Sequence, residues 1–280
     1  MCDQGNYYPC ECASQGPQYY DTLYCHGSSV TVEAVADLFQ RVTTPVFDTF
    51  TMTYFPNAVD SEIPANFTAG KIIMQSIVIE CLNHSFVKVS DNAFDSTAPF
   101  TTIVQFKKCN LENLNFLNNF TKMTSLLFDS FPDLGNIFST FPTYFPLLIV
   151  LTIRNCDGWD HLQNMPAILE AKQLKTFHLT GSVNMNDNAN SLVMDWAAQS
   201  FGLSITSLYL YSNNFTKIPP QIESFSRLNF LDLEGNLITV IPKYSLSFTS
   251  SELKYAQLSN CGIKEIEPGG IQGINTFKVL

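Results

Sequence analysis

The sequence predicts an α/β repeat solenoid, a stack of short parallel strands joined by irregular or briefly helical returns. Three observations predict it. First, Ile205-x-x-Leu208-x-Leu210-x-x-Asn213-x-Phe215-x-x-Ile218-Pro219 recurs 23 residues later as Leu228-x-x-Leu231-x-Leu233-x-x-Asn236-x-Ile238-x-x-Ile241-Pro242, with every apolar position kept. Second, the alternation at Leu208/Leu210 and Leu231/Leu233 describes a strand with one buried face. The Asn that follows can satisfy backbone donors and acceptors inside the coil. Third, four cysteines crowd into the first 25 residues, ahead of the repeats. A single such turn cannot bury its own apolar edge, so the pattern demands neighbours on both sides.

This pattern resembles the leucine-rich repeat. The resemblance implies a horseshoe with a parallel β-sheet on its concave face and an irregular, short-helical convex side. The expected organisation is a disulfide cap plus short helix over 1–45, then about nine repeats over 46–280 with an uncapped C-terminal end.

Taken in order, Cys2, Cys10, Cys12 and Cys25 have the spacing C-x7-C-x-C-x12-C. An open apolar first coil needs a lid, and a small cross-linked one serves. Spacing alone leaves three pairings open. Zinc is the alternative reading of Cys10-Glu11-Cys12, but C-x-C is tighter than a zinc knuckle and no His follows at ligand distance. Between lid and repeats, Val32, Val35, Ala36 and Phe39 make one apolar face of a short helix packed on the lid.

Weaker copies phase outward from the two clear ones, with starts at 47, 74, 101, 123, 148, 174, 205, 228 and 253. In this phasing Phe47-x-x-Phe50-x-Met52 and Met74-x-x-Ile77-x-Ile79 open the array, and Leu253-x-x-Ala256-x-Leu258-x-x-Cys261 follows the clear pair. Length variation falls in the convex returns. The longest return begins as an Asn-rich loop, and Ser191 to Phe201 reads as a convex helix ended at Gly202, with Trp196 packing on the solenoid's back. A tenth strand is forming at Ile274-x-x-Phe277-x-Val279. No cysteine lid follows it, so that end is read as truncated or covered, and open to association.

Composition excludes some function classes. Apolar residues make up 45% and charged ones 14%, and the 23 Phe point to a core of stacked rings as well as Leu. The net charge of −10 and the lack of a basic run make nucleic acid and anionic membranes poor partners. The best apolar run, Tyr144 to Ile153, is about half the ~20 residues of a membrane span, so it reads as a buried strand and no membrane insertion is expected. No signal sequence opens the chain; the cysteines still place it outside the cell, as a secreted protein.

Chemistry is sparse. Asn213 and Asn236 share a repeat offset with Cys109, Cys156 and Cys261, a column read as structural, with the three thiols buried and unpaired. Cys81 lies one offset away, so a bridge to Cys109 would need a register shift. His26, His84, His161 and His178 are scattered, and no nucleophile, metal or phosphate-loop signature occurs. The chain therefore reads as a non-enzyme with no catalytic residues, cofactor or metal. Sequons stand at Asn66, Asn83, Asn119 and Asn214, with Asn66 and Asn119 on returns and Asn214 crowded by the Asn column. Strand alternation puts Tyr209, Tyr211, Phe230 and Tyr255 on the concave face, flanked by Asp232 and Glu234, with Lys107, Lys108, Asp129 and Arg154 on earlier turns. Grouped exposed aromatics mark a partner-binding surface.

Beyond the repeat, Pro9-Cys10-Glu11-Cys12, the helix after Cys25, Ile63-Pro64-Ala65-Asn66-Phe67, Ser76-Ile77-Val78-Ile79 and Asp91-Asn92-Ala93-Phe94 give a layout similar to secreted arthropod leucine-rich repeat proteins, the family of the non-catalytic Oplophorus luciferase subunit. The capped extracellular repeat proteins imply the pairs Cys2–Cys12 and Cys10–Cys25. The arthropod likeness implies a secreted partner or stabilising subunit. The plant form of the repeat, with Gly before Ile-Pro, is absent. The alternative reading is the ectodomain of an innate-immune or adhesion receptor, which a ~20-residue apolar span further along the gene product would support.

Overall fold

The computed structural model describes residues 6–14, 21–27, 30–55, 61–159, 166–182, 184–247, 253–272 and 276–278. Among these a 12-stranded sheet runs the length of the molecule. Its strands are β1 (Cys10–Ala13), β2 (Asp21–Cys25), β3 (Val46–Phe55), β4 (Ile72–Cys81), β5 (Ile103–Lys107), β6 (Ser125–Asp129), β7 (Val150–Arg154), β8 (Thr176–Thr180), β9 (Ser207–Tyr209), β10 (Phe230–Asp232), β11 (Tyr255–Gln257) and β12 (Thr276–Lys278). Only β1 lies antiparallel, to β2; from β2 onward each strand pairs in parallel with the next. The fold is a leucine-rich repeat solenoid.

Register follows the apolar ladder. Phe50, Ile77, Val104, Leu126, Leu151, Phe177, Leu208, Leu231 and Ala256 stand side by side on successive strands. All are fully buried. A one-residue slip on any strand would turn this row outward, which is why the register is so uniform. The first turns depart from it, and one departure exchanges two side chains. Met74, expected to face inward, is 36% exposed, and Ile73 is buried in its place. A bulge opposite Phe47 and Thr49 shifts the register. The backbone of Ile73 is held by the following return: its N–H donates to Thr97 Oγ1 at 2.7 Å, and Thr101 Oγ1 donates to its carbonyl at 2.8 Å.

The returns carry the aromatic core. Phe39, Phe67, Phe94 and Phe120 pack in sequence at ring separations of 5.7, 6.0 and 6.1 Å, one from each successive turn. Farther along, Phe138 contacts Trp159 at 5.4 Å and Trp196 at 5.2 Å. Trp196 is buried and donates its indole N–H to Ala167 O at 3.2 Å, so it packs on the back of the sheet. It sits on the helix Asp187–Phe201, which begins four residues before Ser191 because the Asn186 side chain caps it, accepting from Ala189 N–H. At its end Gly202 is αR, and a Cβ there would meet Ala198 O at 2.4 Å, so close packing and not a left-handed turn requires glycine. The run from Tyr144 is strand only over Val150–Arg154; Tyr144 itself is 52% exposed.

Inside the turns the Asn column holds the coil together. Asn236 Oδ1 accepts from Asn213 N at 3.0 Å and Phe215 N at 3.1 Å, while its Nδ2 donates to Leu210 O and Leu233 O at 2.9 and 2.7 Å. Asn213 repeats the arrangement, donating to Leu179 O and accepting from Ser182 N. Cys156 and Cys261 fill the same offset as buried free thiols, and Cys261 Sγ donates to Leu233 O at 3.1 Å. Burial pushes the Cys156 thiol up to about 12, so it is no nucleophile near neutral pH. Cys109 departs from expectation. It is bonded to Cys81 across adjacent turns. The register shift opposite Thr53 and Phe55 brings Cys81 inward, where it is 1% exposed, and Asn83 and His84 then turn the chain with positive φ. In the lid Cys10 is bonded to Cys25, and Cys12 is also disulfide-bonded; Cys2, its expected partner, lies outside the described residues.

Candidate binding face

The outward rows of the sheet follow from the same register. One row reads Thr176, Ser207, Phe230, Tyr255 and the next His178, Tyr209, Asp232, Gln257. Large rings on neighbouring strands ~4.8 Å apart must pack against one another. His178 lies flat on Tyr209 at 4.2 Å and 6° between planes, and Phe230 on Tyr255 at 4.9 Å and 4°. Tyr209 and Phe230 join the two pairs diagonally at 4.9 Å. The result is one run of four half-buried rings across β8 to β11. Strand alternation predicts three of them, and the same alternation on β8 turns His178 outward between the buried Phe177 and Leu179.

Carboxylates border this run. Asp232 is only 9% exposed and accepts from Glu234 N at 2.9 Å. Burial pushes its carboxyl above the usual range, and the nearby Glu234 charge adds to this, while that backbone N–H opposes it. Glu234 is fixed by the side-chain amides of Gln257 and Asn260, the latter at 3.0 Å. No ion pair joins either acid to a cation among the described residues. Earlier turns differ. Glu80 is paired with Lys108 at 2.7 Å, and Asp129 with Arg154 at 2.6 Å. Burial alone would push Asp129 up, but hydrogen bonds from Arg154 and Ser130, with the Arg154 charge, hold it below the usual range. Burial, followed by the same Arg154 charge, lowers His178, so its imidazole is neutral at physiological pH.

The residues expected on this face are therefore only partly together. Tyr209, Phe230 and Tyr255 are in contact. Tyr211 lies beyond the end of β9, its carbonyl accepting from Gly181 N at 3.1 Å, and its charge neighbour is Arg154, not the ring run. Arg154 is two strands from Tyr209, and Lys107 is four, roughly 19 Å away at the usual strand spacing. The sequons all lie off the sheet: Asn66, Asn83 and Asn119 are exposed and Asn214 is half-buried. His161 lies outside the described residues. No group of metal-ligating side chains occurs among the described residues, and no described helix is long and apolar enough to cross a membrane.

Fold and face together define a repeat scaffold that presents an aromatic strip on its strand surface. In agreement, the family model Leucine Rich Repeat matches residues 204–225, the first of the two clear copies. Comparison with curated proteins finds no match, so the arthropod likeness rests on the motifs quoted above. Among solved structures, the crystal structure of a TLR13–ssRNA13 complex is similar with 16% identity and a TM-score of 0.48, over 89% of this chain and 30% of that one. The chain thus spans less than a third of that relative's length.

Proposed function

We propose that the chain is a secreted, non-enzymatic interaction module that holds a protein partner on its concave face and acts as a stabilising subunit for it. The observation that carries the reading is the four-ring run beside two carboxylates that lack a cation among the described residues. Half-buried Tyr and Phe with two rotatable bonds each give large contact area at low entropic cost. Asp232 and Glu234 select a partner that brings a basic group, an Arg above all, because guanidinium can fork to carboxylate and stack on a ring at once. Sequons confined to edges and returns leave this face clear of glycans. The paired acids farther along the sheet have no such demand.

The test immobilises the intact chain and a Tyr209→Ala/Phe230→Ala variant, then passes native secretions over both. A partner retained by the first and lost at least tenfold by the second, with matched circular dichroism, supports the assignment. Equal retention overturns it. The subunit role is read separately: a retained enzyme should inactivate more slowly on heating when the chain is added, and an unchanged half-life removes that part of the proposal.

A further inference from the structure

The strands from β5 to β11 all begin at the same register position, so their entry ends stand at one level. Just ahead of them a column of backbone hydrogen bonds crosses the solenoid. Thr102 N–H donates to Gln75 O, and the link repeats from turn to turn through Ile149 and Lys175 to Lys254 N–H on Asn229 O, at 2.7–3.2 Å. The column covers roughly 34 Å at the usual strand spacing. The turns thus form a level ridge along one edge of the sheet.

What this ridge presents differs from the rest of the molecule. The chain has 25 acidic and 15 basic residues, yet none of the described residues in the column, or up to three positions before it in each turn, is a carboxylate. Five cations stand there. Lys122, Lys172, Arg227 and Lys254 are exposed and Lys175 is half-buried, and none of the five is in an ion pair among the described residues. Large apolar side chains project between them. Leu203, at 76% the most exposed large apolar residue described, borders one groove with Lys172 and Arg227. Ile149 is 40% exposed and Phe100 43%. Backbone groups make the column, so it does not need these side chains.

We infer that this ridge adsorbs to a membrane surface carrying anionic lipids, with Leu203, Ile149 and Phe100 entering the interface and the cations meeting lipid headgroups. Apolar burial and attraction to anionic headgroups together set such binding. A soluble polyanion would use the cations and leave Leu203 in water. The net charge of −10 argues against anionic surfaces for the chain as a whole. Screening over about 8–10 Å makes the ridge answer to its own charges instead, which folding gathers from separate turns. The chain rests on the bilayer and does not cross it. With the strands standing on the membrane, the ring run on the strand face stays open to a partner.

The test is co-sedimentation of the full chain with phosphatidylcholine vesicles, with and without phosphatidylserine, in about 0.1 M NaCl. Binding only to the anionic vesicles is expected, and Lys172→Gln/Arg227→Gln should weaken it about tenfold or more. Leu203→Ser should weaken it about fivefold. No binding to anionic vesicles, or wild-type binding by both variants at an unchanged thermal midpoint, overturns the site. If the double variant fails to fold, Lys175→Gln/Lys254→Gln takes its place with the same expected loss. Equally tight binding to soluble polyglutamate, insensitive to Leu203→Ser, would assign the ridge to an acidic polypeptide and overturn the membrane reading. Tyr209→Ala/Phe230→Ala should bind vesicles like wild type, which keeps this result separate from partner capture. Loss of binding in that variant would move the contact to the strand face and overturn the ridge.

Discussion

Asn236 shows how much a single side chain does in this coil. Its amide serves two carbonyls and two N–H groups from two turns, none of which has water as an alternative. Asn236→Ala should therefore cost at least ~2–3 kcal/mol by urea denaturation. Asn236→Cys should cost measurably less, because Cys261 at the same offset already donates to Leu233 O. Equal losses would show that hydrogen bonding is not what this position supplies. Asp232 is the opposite case, a residue whose fold environment disfavours its charge. Its folded pKa is raised, so the native state binds more protons than the unfolded chain across the interval between the two values. Stability then falls as pH rises through the folded value, above which the whole penalty is present. Asp232→Asn should accordingly raise the thermal midpoint at pH 7, by a few degrees at most, and this advantage should vanish below pH ~3, where wild-type Asp232 is protonated in both states. A mutant advantage that grows on acidification would contradict the argument. The cost retained at Asp232 in the free chain is consistent with a residue kept for a partner's cation.

At the scale of elements, the returns hold the turns together more than their irregular outline suggests. The Cys81–Cys109 bond closes a separation of 28 residues between adjacent turns. By loop-closure entropy its removal should cost about 3–4 kcal/mol, so Cys109→Ser should unfold at lower urea, with m rising as the unbridged unfolded chain expands. Cys156→Ser should cost something by burying a hydroxyl in a thiol's place, but it removes no such constraint. The two variants should separate clearly, and equal midpoints would show the bond to be unformed in solution. The Asp129–Arg154 pair is a smaller contributor, because Arg154 is 45% exposed and solvent screens the attraction. Arg154→Gln should cost about 0.2–1 kcal/mol at neutral pH. Asp129 has a lowered folded value, so this stabilisation is complete above the ordinary aspartate range and fades as pH falls through the folded value. Thermal melts of wild type and variant should therefore converge at low pH.

For the whole molecule, the sheet separates two surfaces of different character. The strand face carries the ring run and its acids, and the returns carry the sequons. Much of this was legible in sequence. The Leu208/Leu210 and Leu231/Leu233 copies define the strand phase, and that phase propagates through weaker copies because a strand's side chains alternate with a period of two. The helix at Val32–Arg41 and the buried role of Trp196 were legible for the same reason, as apolar periodicity within one element. Other features were hidden. The Met74-to-Ile73 exchange arises from a bulge fixed by two threonines of the next return, and periodicity carries no trace of such hydroxyls. Cys81 reaches Cys109 only because the register slips at the end of β4. Tyr211 matched the alternation, yet β9 ends before it, so its ring takes no part in the run.

What the sequence determined by itself is the repeating coil, its strand phase, and the residues that fill it, because local alternation and the inward Asn or Cys are written within each turn. Only the tertiary structure decided which side chains from different turns meet. Stacking brought His178 onto Tyr209 and left Asp232 and Glu234 without an ion-paired cation among the described residues. The reason is physical. Contacts across a solenoid depend on the length and twist of each return, and the alternation within a strand carries no record of either.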